Sequence, residues 1–365
     1  MAKRPWWRRA LRGAGIAGGV AGAAYAAERA VVAGVRRKPD PDAERELTPP
    51  FDEARRIPSH DGGSIYTISR GEGPVVLFSH GVTLNVRLWF KQFEELPERG
   101  LRVIAFDSRG HGESESGTSG HSVENLGEDL KTVIEALDLR DVTIVGHSMG
   151  GVAAQALAIN HPKFAAKRVR GLVLTSTLAK THISGSRRLR CAIERVAEGR
   201  LDAGGLFTQP NFGFLLARIG FGRDPQPSHV ELTRQMIASC KRAESSAAIS
   251  ALLGLDLTED LPDIALPTLV MSGSADLIAP PSESRRIAEL IPGARLEVFK
   301  GAGHMLMFER TEEVNDLVNE FVRDPGVREA SRRWWPRRRP RRGPGQRRRR
   351  GPRPTRRSPA VRARR

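Results

Sequence analysis

The sequence predicts an α/β protein in which a mostly parallel β-sheet is flanked by helices. Three observations lead to this prediction. Short continuous apolar runs, which are typical of strands buried on both faces, recur along the chain. Helical patterns fill the gaps between these runs, which predicts right-handed crossovers between parallel strands. Glycine-containing turns follow several of the runs, at the edge where ligands bind in such sheets.

Seven segments have the composition of strands. They comprise residues 64–69, 75–79, 102–107, 142–145, 169–175, 268–272 and 296–299. Apolar residues spaced three or four apart predict a helix that begins after Ser122, which we expect to be its N-cap, and a last helix over Glu312 to Val322. Residues 180–266 lack strand alternation and are predicted to be helical, with a capping box over residues 228–231.

Charge separates the chain into a neutral body and a basic tail. The 365 residues include 59 Lys and Arg against 42 Asp and Glu, which gives a formal net charge of +17. Residues 331–365 contain 17 arginines and no acid, so the remaining chain has as many basic as acidic residues. With 39% hydrophobic residues, the chain can bury a core. The basic average therefore describes the tail and not the fold.

The N-terminal region, residues 1–50, combines a basic start, an uncharged stretch of Gly and Ala, and a linker. The uncharged stretch, residues 13–27, is shorter than the roughly 20 residues of a transmembrane helix. A signal peptide or a membrane-associated anchor helix fits the basic start, and a dispensable extension fits equally well. Residues 36–58 are rich in proline and charge and are predicted to be a linker.

The C-terminal region, residues 326–365, has almost no apolar content and is predicted to be disordered. Its arginines fit an anionic lipid surface, where each Arg would contribute about 1 kcal/mol to the binding free energy. The neighbouring Trp334-Trp335 favours this interpretation. Nucleic-acid binding is disfavoured, while an extension without a function of its own fits the bias towards Arg, Gly and Pro. An anionic membrane, through the N-terminal segment and this tail, is therefore a candidate partner besides the substrate, and the location stays open between membrane, cytoplasm and export.

A G-x-S-x-G pattern spans Gly146 to Gly150, directly after a predicted strand and directly before a helical stretch. The bare pattern is weak, but this context makes it specific, because the serine then sits in a sharp turn that exposes its hydroxyl. The two glycines leave room for the backbone, and the helix N-terminus favours negative charge near Ser148. The pattern predicts that Ser148 is a nucleophile.

A base and an acid are expected at the same edge of the sheet. His304 follows the strand at residues 296–299, and Asp276 follows the strand at residues 268–272. Because the carboxyl ends of parallel strands meet at one edge, both side chains should lie near Ser148. We therefore predict a catalytic triad in which Ser148 attacks, His304 is the base and Asp276 orients the imidazole.

Two backbone N–H groups should stabilise the developing oxyanion. One is expected from Met149, the residue after the nucleophile, and the other from Val82, in the loop after the strand at residues 75–79. His80 in the same loop is predicted to be structural, packing and hydrogen-bonding under it. Asp107 also ends a strand, but it precedes Ser148 in the chain and is predicted to support the following loop.

No metal-ligand cluster and no dinucleotide-binding glycine pattern stands out in the sequence, so we expect no metal and no cofactor. The two cysteines, Cys191 and Cys240, are too few for a disulfide framework in a chain of this length. Two separate thiols are expected, and a single bridge between them is the alternative.

Five motifs, in order, resemble the α/β-hydrolase superfamily, and most of all its branch of esterases, lipases and cofactor-free haloperoxidases. They are His80-Gly81, DSRGHGES at residues 107–114, GHSMGG at residues 146–151, Ser274-Ala275-Asp276 and Gly303-His304. The resemblance covers residues 55–325, and the order nucleophile, acid, base along the chain is that of this superfamily. It implies an α/β-hydrolase core over residues 51–179 and 267–325, with an inserted helical cap over residues 180–266.

The resemblance implies a serine hydrolase that cleaves a small-molecule carboxylic ester, medium-chain or lipid-like, through an acyl-enzyme on Ser148. Epoxide hydrolases and haloalkane dehalogenases of this fold use an aspartate at that position, so their chemistry is disfavoured. Apolar residues of the cap, 207–221, are expected either to pack the cap onto the body or to line an acyl pocket. An amidase or aminopeptidase of the same fold and a non-enzymatic ligand-binding protein are the alternatives.

Overall fold

An eight-stranded β-sheet forms the centre of the protein in the computed structural model. Its strands are β1 (Glu53–Pro58), β2 (Ser64–Arg70), β3 (Val75–Ser79), β4 (Arg102–Phe106), β5 (Val142–His147), β6 (Val169–Thr175), β7 (Thr268–Gly273) and β8 (Arg295–Phe299). They lie side by side in the order β1-β2-β4-β3-β5-β6-β7-β8. β2 pairs antiparallel with both β1 and β4, and all other neighbours in this sheet are parallel. The mostly parallel sheet predicted from the sequence is confirmed.

The structure describes residue 26 and residues 28–181 and 187–325, without the side chains of residues 187–190 and 203. The predicted signal or anchor segment lies almost entirely outside these residues, and so does the predicted disordered tail from residue 326. Both stay predictions. Among the described residues, none of the helices is both long and apolar enough to cross a membrane.

The middle strands are buried on both faces, which explains their apolar sequences. Every side chain of β5 and β7 is buried. Successive side chains of a strand point to opposite faces, so Val76 and Phe78 of β3 join one hydrophobic cluster while Leu77 between them joins the other. Each face of the sheet therefore carries a separate core, which helices cover.

The helices of the described residues are α1 (residues 28–36), α2 (Phe90–Glu95), α3 (Val123–Ala136), α4 (Met149–Asn160), α5 (Pro162–Arg168), α6 (Arg187–Ala197), α7 (Ala203–Phe207), α8 (Phe212–Arg218), α9 (Pro227–Ser239), α10 (Arg242–Leu253), α11 (Pro281–Leu290), α12 (Leu306–Glu309) and α13 (Thr311–Arg323). Short 3₁₀ turns occur at Val86–Trp89, Pro97–Arg99 and Leu261–Asp263. The Ser122 hydroxyl accepts a hydrogen bond from the Asn125 N–H, which confirms the predicted N-cap of α3. Helices α6 to α10 occupy the described part of the segment between β6 and β7, where no strand was predicted.

The structure corrects the capping box predicted at residues 228–231. Helix α9 begins at Pro227, so Ser228 already lies inside its first turn. The Ser228 N–H and hydroxyl both donate to the Asp40 carboxylate, at 2.6 and 2.8 Å. Glu231 pairs with Arg234 instead of turning back to the helix start. A partner 188 residues away in sequence therefore replaced the local cap.

The prediction of a linker over residues 36–58 is also wrong. Residues 53–58 form the edge strand β1, which pairs with β2 along its whole length. Residues 38–47, which we call the strap, fasten helix α9 to the body. The Asp42 carboxylate in the strap accepts hydrogen bonds from His229 of α9 at 3.0 Å and from Lys91 of α2 at 3.0 Å. Leu47, at the end of the strap, is buried in one of the two cores.

Candidate active site

Ser148 occupies the turn between β5 and α4 in a strained backbone conformation. Its φ is 51° and its ψ is −116°, a region that residues with a side chain rarely adopt. A Cβ at Gly146 would lie 2.4 Å from the Gly150 carbonyl oxygen, and one at Gly150 would lie 2.1 Å from the Ser79 carbonyl oxygen. The turn is therefore closed tightly enough that only glycine fits at both flanking positions. This is the physical reason for the G-x-S-x-G spacing.

The end of β6 and the loop that follows it hold the Ser148 backbone in place. The Ser148 N–H donates to the Thr175 carbonyl oxygen at 3.0 Å, and the Ser148 carbonyl oxygen accepts from the Thr177 hydroxyl at 2.7 Å. These bonds tie the turn to β6 and the loop that follows it. The serine side chain itself is only half-buried, so a substrate can reach its hydroxyl.

Asp276 and His304 form a direct hydrogen bond at the carboxyl edge of the sheet. His304 Nδ1 lies 2.9 Å from Asp276 Oδ2, and the two residues are 5% and 3% exposed. The other carboxylate oxygen accepts from the N–H groups of Ile278 and Ala279, both at 2.8 Å. Since a carboxylate only accepts, Nδ1 carries the proton, and Nε2 of a neutral His304 ring is left free to accept one.

His147 connects the serine turn to this pair. Its ring centroid lies 4.6 Å from that of His304, and its Nε2 donates to the His304 carbonyl oxygen at 3.1 Å. Burial, reinforced by the neighbouring His304, holds the pKa of His147 well below its usual range, so this ring is neutral. Ser148 is thereby brought beside His304, although no hydrogen bond joins the serine hydroxyl to that imidazole in this structure. Such bonds are often long before substrate binds.

The loop after β3 lies against the serine turn. A Cβ at Gly81 would lie 3.1 Å from the Ser148 Cβ and 2.9 Å from His147 Nδ1, so the backbone approaches closely here. Among the described residues, the Val82 N–H has no hydrogen-bond acceptor. Met149 is the first residue of α4, and the N–H groups of a first helical turn have no partner within the helix. Two free donors are thus available close to Ser148.

His80 and Asp107 have the structural roles that the sequence predicts for them. His80 is fully buried; its Nε2 accepts from the Ser108 N–H at 2.9 Å and its Nδ1 donates to the Gly81 carbonyl oxygen at 2.8 Å. Burial lowers the pKa of His80 to about 3, so it stays neutral. The Asp107 carboxylate accepts from the N–H groups of Val86 and Glu113, and burial raises its pKa to about 7. Both side chains therefore hold loops through these hydrogen bonds.

Two further residues of this region were not found from the sequence. His147 stands beside the serine, and Glu309 lies five positions after His304 and accepts from the Gly303 N–H at 2.9 Å. His147 fills a variable position of the G-x-S-x-G pattern, which gives it no role of its own, and Glu309 belongs to no pattern with a chemical meaning. Their contacts join segments far apart in sequence, so only the folded chain reveals them.

A metal centre has no support within the described ranges, where His, Cys, Asp and Glu nowhere gather in groups of three or more that could bind an ion. Cys191 and Cys240 are both free thiols, as expected, and are not bridged.

Comparison with known proteins yields relatives over the body of the chain. The sequence profile of the alpha/beta hydrolase fold matches residues 74–311. A non-heme chloroperoxidase of Kitasatospora aureofaciens is 31% identical over 261 residues, which cover 67% of this chain and 90% of that protein. An esterase from Exiguobacterium antarcticum has a similar structure, with a TM-score of 0.67 and 25% identity, over 74% of this chain and 100% of the other. The enol-lactonase from Burkholderia xenovorans LB400 gives a TM-score of 0.64 at 26% identity, over 74% and 100% of the two chains.

Proposed function

This chain belongs to the alpha/beta hydrolase fold family, and from that premise we propose that it is a serine hydrolase that cleaves carboxylic esters through an acyl-enzyme on Ser148. It is an enzyme of a fold whose relatives and structural neighbours are hydrolytic enzymes. The observation that carries the proposal is the 2.9 Å bond between Asp276 and His304 beside the strained turn of Ser148. This arrangement supplies a nucleophile, a base and an acid that orients the base.

In the proposed reaction, His304 Nε2 takes the proton of the Ser148 hydroxyl as its oxygen attacks the ester carbonyl. Asp276 holds the Nδ1 proton in place and stabilises the imidazolium that forms. The tetrahedral intermediate collapses to an acyl-enzyme, and the alcohol leaves with the proton from His304. A water molecule, deprotonated by His304, then attacks the acyl-enzyme and releases the acid with Ser148 restored.

The N–H groups of Val82 and Met149 are the proposed oxyanion hole. The close approach of the loop after β3 to Ser148 and the free N–H of Val82 support this assignment. Met149 begins α4, so its N–H also lies at the positive end of a helix dipole. Charge that develops on the carbonyl oxygen would be stabilised there without reorganisation, which is worth about 3–4 kcal/mol for one donor of this kind.

A medium-chain or lipid-like acyl group is the proposed substrate class. Val82 and Met149 contribute side chains to a small apolar cluster that also includes Leu126 and, from helix α10, Ala248 and Leu252. Close to Asp276 and His304 along the chain or through their contacts, Ile219, Leu277 and Ile278 are large apolar residues that remain exposed, Leu277 by 77%. Ile278 follows Asp276 closely, and Ile219 precedes the residue that binds the His304 N–H. Apolar surface beside a site favours an apolar ligand.

Packing onto the body and binding an acyl chain are the two roles predicted for the cap residues 207–221. Phe214 and Phe221 are buried in the core and pack these helices onto the body. Phe212 and Ile219 are exposed, and they are the residues of this set that a bound acyl chain could contact. Packing thus accounts for the largest buried rings. The exposed pair, Phe212 and Ile219, is where we propose that the acyl chain makes contact with the cap.

An anionic membrane remains a proposed partner, through the N-terminal segment and the arginine-rich tail. The proposal rests on the sequence of those regions, because the 17 arginines of residues 331–365 lie outside the described residues. Co-sedimentation with phosphatidylserine vesicles, with and without those residues, would test it. Salt should weaken any such binding.

The test of the proposed function is hydrolysis of p-nitrophenyl esters, from acetate to palmitate, by the full chain and its Ser148→Ala variant. We expect the wild type to turn over at least one ester and the variant to lose about 10⁶-fold in kcat, because the hydroxyl that forms the acyl-enzyme is gone. Ser119→Ala is the matched control, since Ser119 lies in a loop and its backbone alone makes the recorded hydrogen bonds.

The alternatives predict other results in the same assay. A wild type that cleaves p-nitroanilides and no ester would point to an amidase or aminopeptidase. A folded wild type that turns over neither class would support a binding role. Equal activity of the wild type and Ser148→Ala would show that Ser148 is not the nucleophile, and the proposal would fail.

A further inference from the structure

The loop that carries His304 lies directly against the chain that leaves cap helix α8. The His304 N–H donates to the Gly220 carbonyl oxygen at 2.8 Å, and the Arg223 N–H donates to the Gly301 carbonyl oxygen at 3.3 Å. A Cβ at Gly303 would lie 2.5 Å from the Gly222 nitrogen. Residues 220–223 and 301–304 therefore meet backbone to backbone, and we call this contact the junction.

The Glu309 carboxylate, at the end of α12, binds both sides of the junction. Its Oε1 accepts from the Gly303 N–H at 2.9 Å, and its Oε2 accepts from the Gly222 N–H at 2.7 Å. One side chain thus holds both sides of the contact. Burial raises the pKa of Glu309, while the two N–H donors act in the opposite direction. A Cβ at Gly222 would lie 2.0 Å from the Gly301 carbonyl oxygen and 2.8 Å from Oε2, so a larger residue there would displace the backbone of the junction as well as the carboxylate.

We propose that Glu309 is a positioning residue for hydrolysis: by bridging Gly303 and Gly222 it sets the place of His304 relative to Ser148. The inference rests on the proposed function and extends it, because it couples the cap to the base through one carboxylate. The Glu309 carboxylate makes its hydrogen bonds to Gly222 and Gly303, and none to Ser148 or to the His304 imidazole. Its effect on His304 therefore passes through the backbone of residues 303 and 304.

Hydrolysis requires a hydrogen bond between Ser148 and His304. No such bond is present in this structure, so the position of the His304 loop decides whether it can form. A displacement of about 1 Å, even when its origin lies away from the reacting atoms, can cost about 100-fold in rate. A carboxylate can accept from both N–H groups at once, whereas the amide of Gln has one accepting oxygen and presents N–H to the second donor.

The experiment compares full-length Glu309→Gln with the wild type on the ester that the wild type prefers. We expect kcat to fall about 10- to 100-fold while KM changes less than about 3-fold, because the base is displaced and the acyl surface is untouched. Glu312→Gln is the matched control: Glu312 is exposed in the first turn of α13, and its kcat should equal that of the wild type.

Glu309→Asp tests the same contact with the charge retained. Its carboxylate is withdrawn by one bond, about 1.5 Å, so kcat should fall about 10-fold. If Glu309→Gln does not yield folded protein, Glu309→Asp is tested in its place. An unchanged kcat of Glu309→Asp would then overturn the proposal. For folded Glu309→Gln, a lowered Tm with kcat within 2-fold of the wild type would equally overturn it, since the carboxylate would then only stabilise the fold.

Failure of this inference can be told apart from failure of the proposed function. If the wild type is active, Ser148→Ala is inactive and Glu309→Gln is fully active, only the role of Glu309 falls. If Ser148→Ala retains the activity of the wild type, the proposed function falls and the role of Glu309 falls with it.

Discussion

At the scale of single residues, the conformation that exposes the Ser148 hydroxyl also destabilises the folded protein. Its positive φ places the hydroxyl at the edge of the sheet, but a residue with a Cβ in such a conformation costs about 1–3 kcal/mol. The bonds from Thr177 and to Thr175 hold the backbone in place in spite of this cost. The strain is therefore expected to be stored in the folded state.

Ser148→Gly should release this strain. Glycine adopts positive φ without penalty, so we expect the free energy of unfolding to rise by about 1 kcal/mol while ester hydrolysis is lost. Thermal and urea denaturation of the wild type, Ser148→Gly and Ser148→Ala measure this difference in the free energy of unfolding. Ser148→Ala is the control, because it removes the same hydroxyl and keeps the Cβ. Equal stability of the Gly and Ala variants would mean that the turn stores no strain.

At the scale of elements, the strap connects α9 to the body through buried charge. Asp42 pairs with Arg45 at 2.7 Å and with His229 at 3.0 Å, and Lys91 Nζ lies 3.0 Å from its Oδ1 and 2.8 Å from its Oδ2. Burial opposes ionisation of this carboxylate, but its three partners outweigh burial and lower the pKa of Asp42 to about 2. Removing the Asp42 charge takes one carboxylate away from all three partners, of which Arg45 also pairs with Glu94.

Asp42→Asn should therefore destabilise the protein in a pH-dependent way. Because the folded-state pKa is below the unfolded value of 3.8, the contribution of Asp42 is present above about pH 4 and is lost as the pH falls towards 2. We expect a loss of about 1–2 kcal/mol at pH 7, less than the full shift because Arg45 reaches solvent, and a smaller loss at pH 3. Urea denaturation at both pH values measures this.

The exposed Glu44 in the same strap provides the control, and Glu44→Gln should leave the stability unchanged at both pH values. A loss from Asp42→Asn that is equal at pH 7 and pH 3 would contradict an ionic origin. The strap would then hold α9 through packing alone.

The strands differ in how well they could be predicted from the sequence. The strands at residues 75–79 and 169–175 were predicted at their observed bounds, because short apolar runs bounded by turn residues are typical of strands buried on both faces. The edge strand β1 was missed, since its sequence EARRIP is charged and mostly exposed. An edge strand is defined by its partner, here β2, and not by a pattern of its own.

At the scale of the whole molecule, the fold brings together residues that the sequence keeps far apart. The positions of Ser148, Asp276 and His304 could be predicted because each follows a strand, and strand ends share one edge of the sheet. The contact between His147 and His304 and the bridge from Glu309 to Gly222 could not be predicted, because they join segments 157 and 87 residues apart. They depend on how the cap segment and the loops pack.

The central claim is that Ser148 is the nucleophile that His304 activates. Its most direct test is to treat the full-length protein with a fluorophosphonate, which labels activated serines, and to locate the adduct by peptide mass spectrometry. The account predicts one adduct, on Ser148, that is absent from Ser148→Ala and forms much more slowly in His304→Ala. An adduct on another serine, or ester hydrolysis that persists with no label on Ser148, would contradict it.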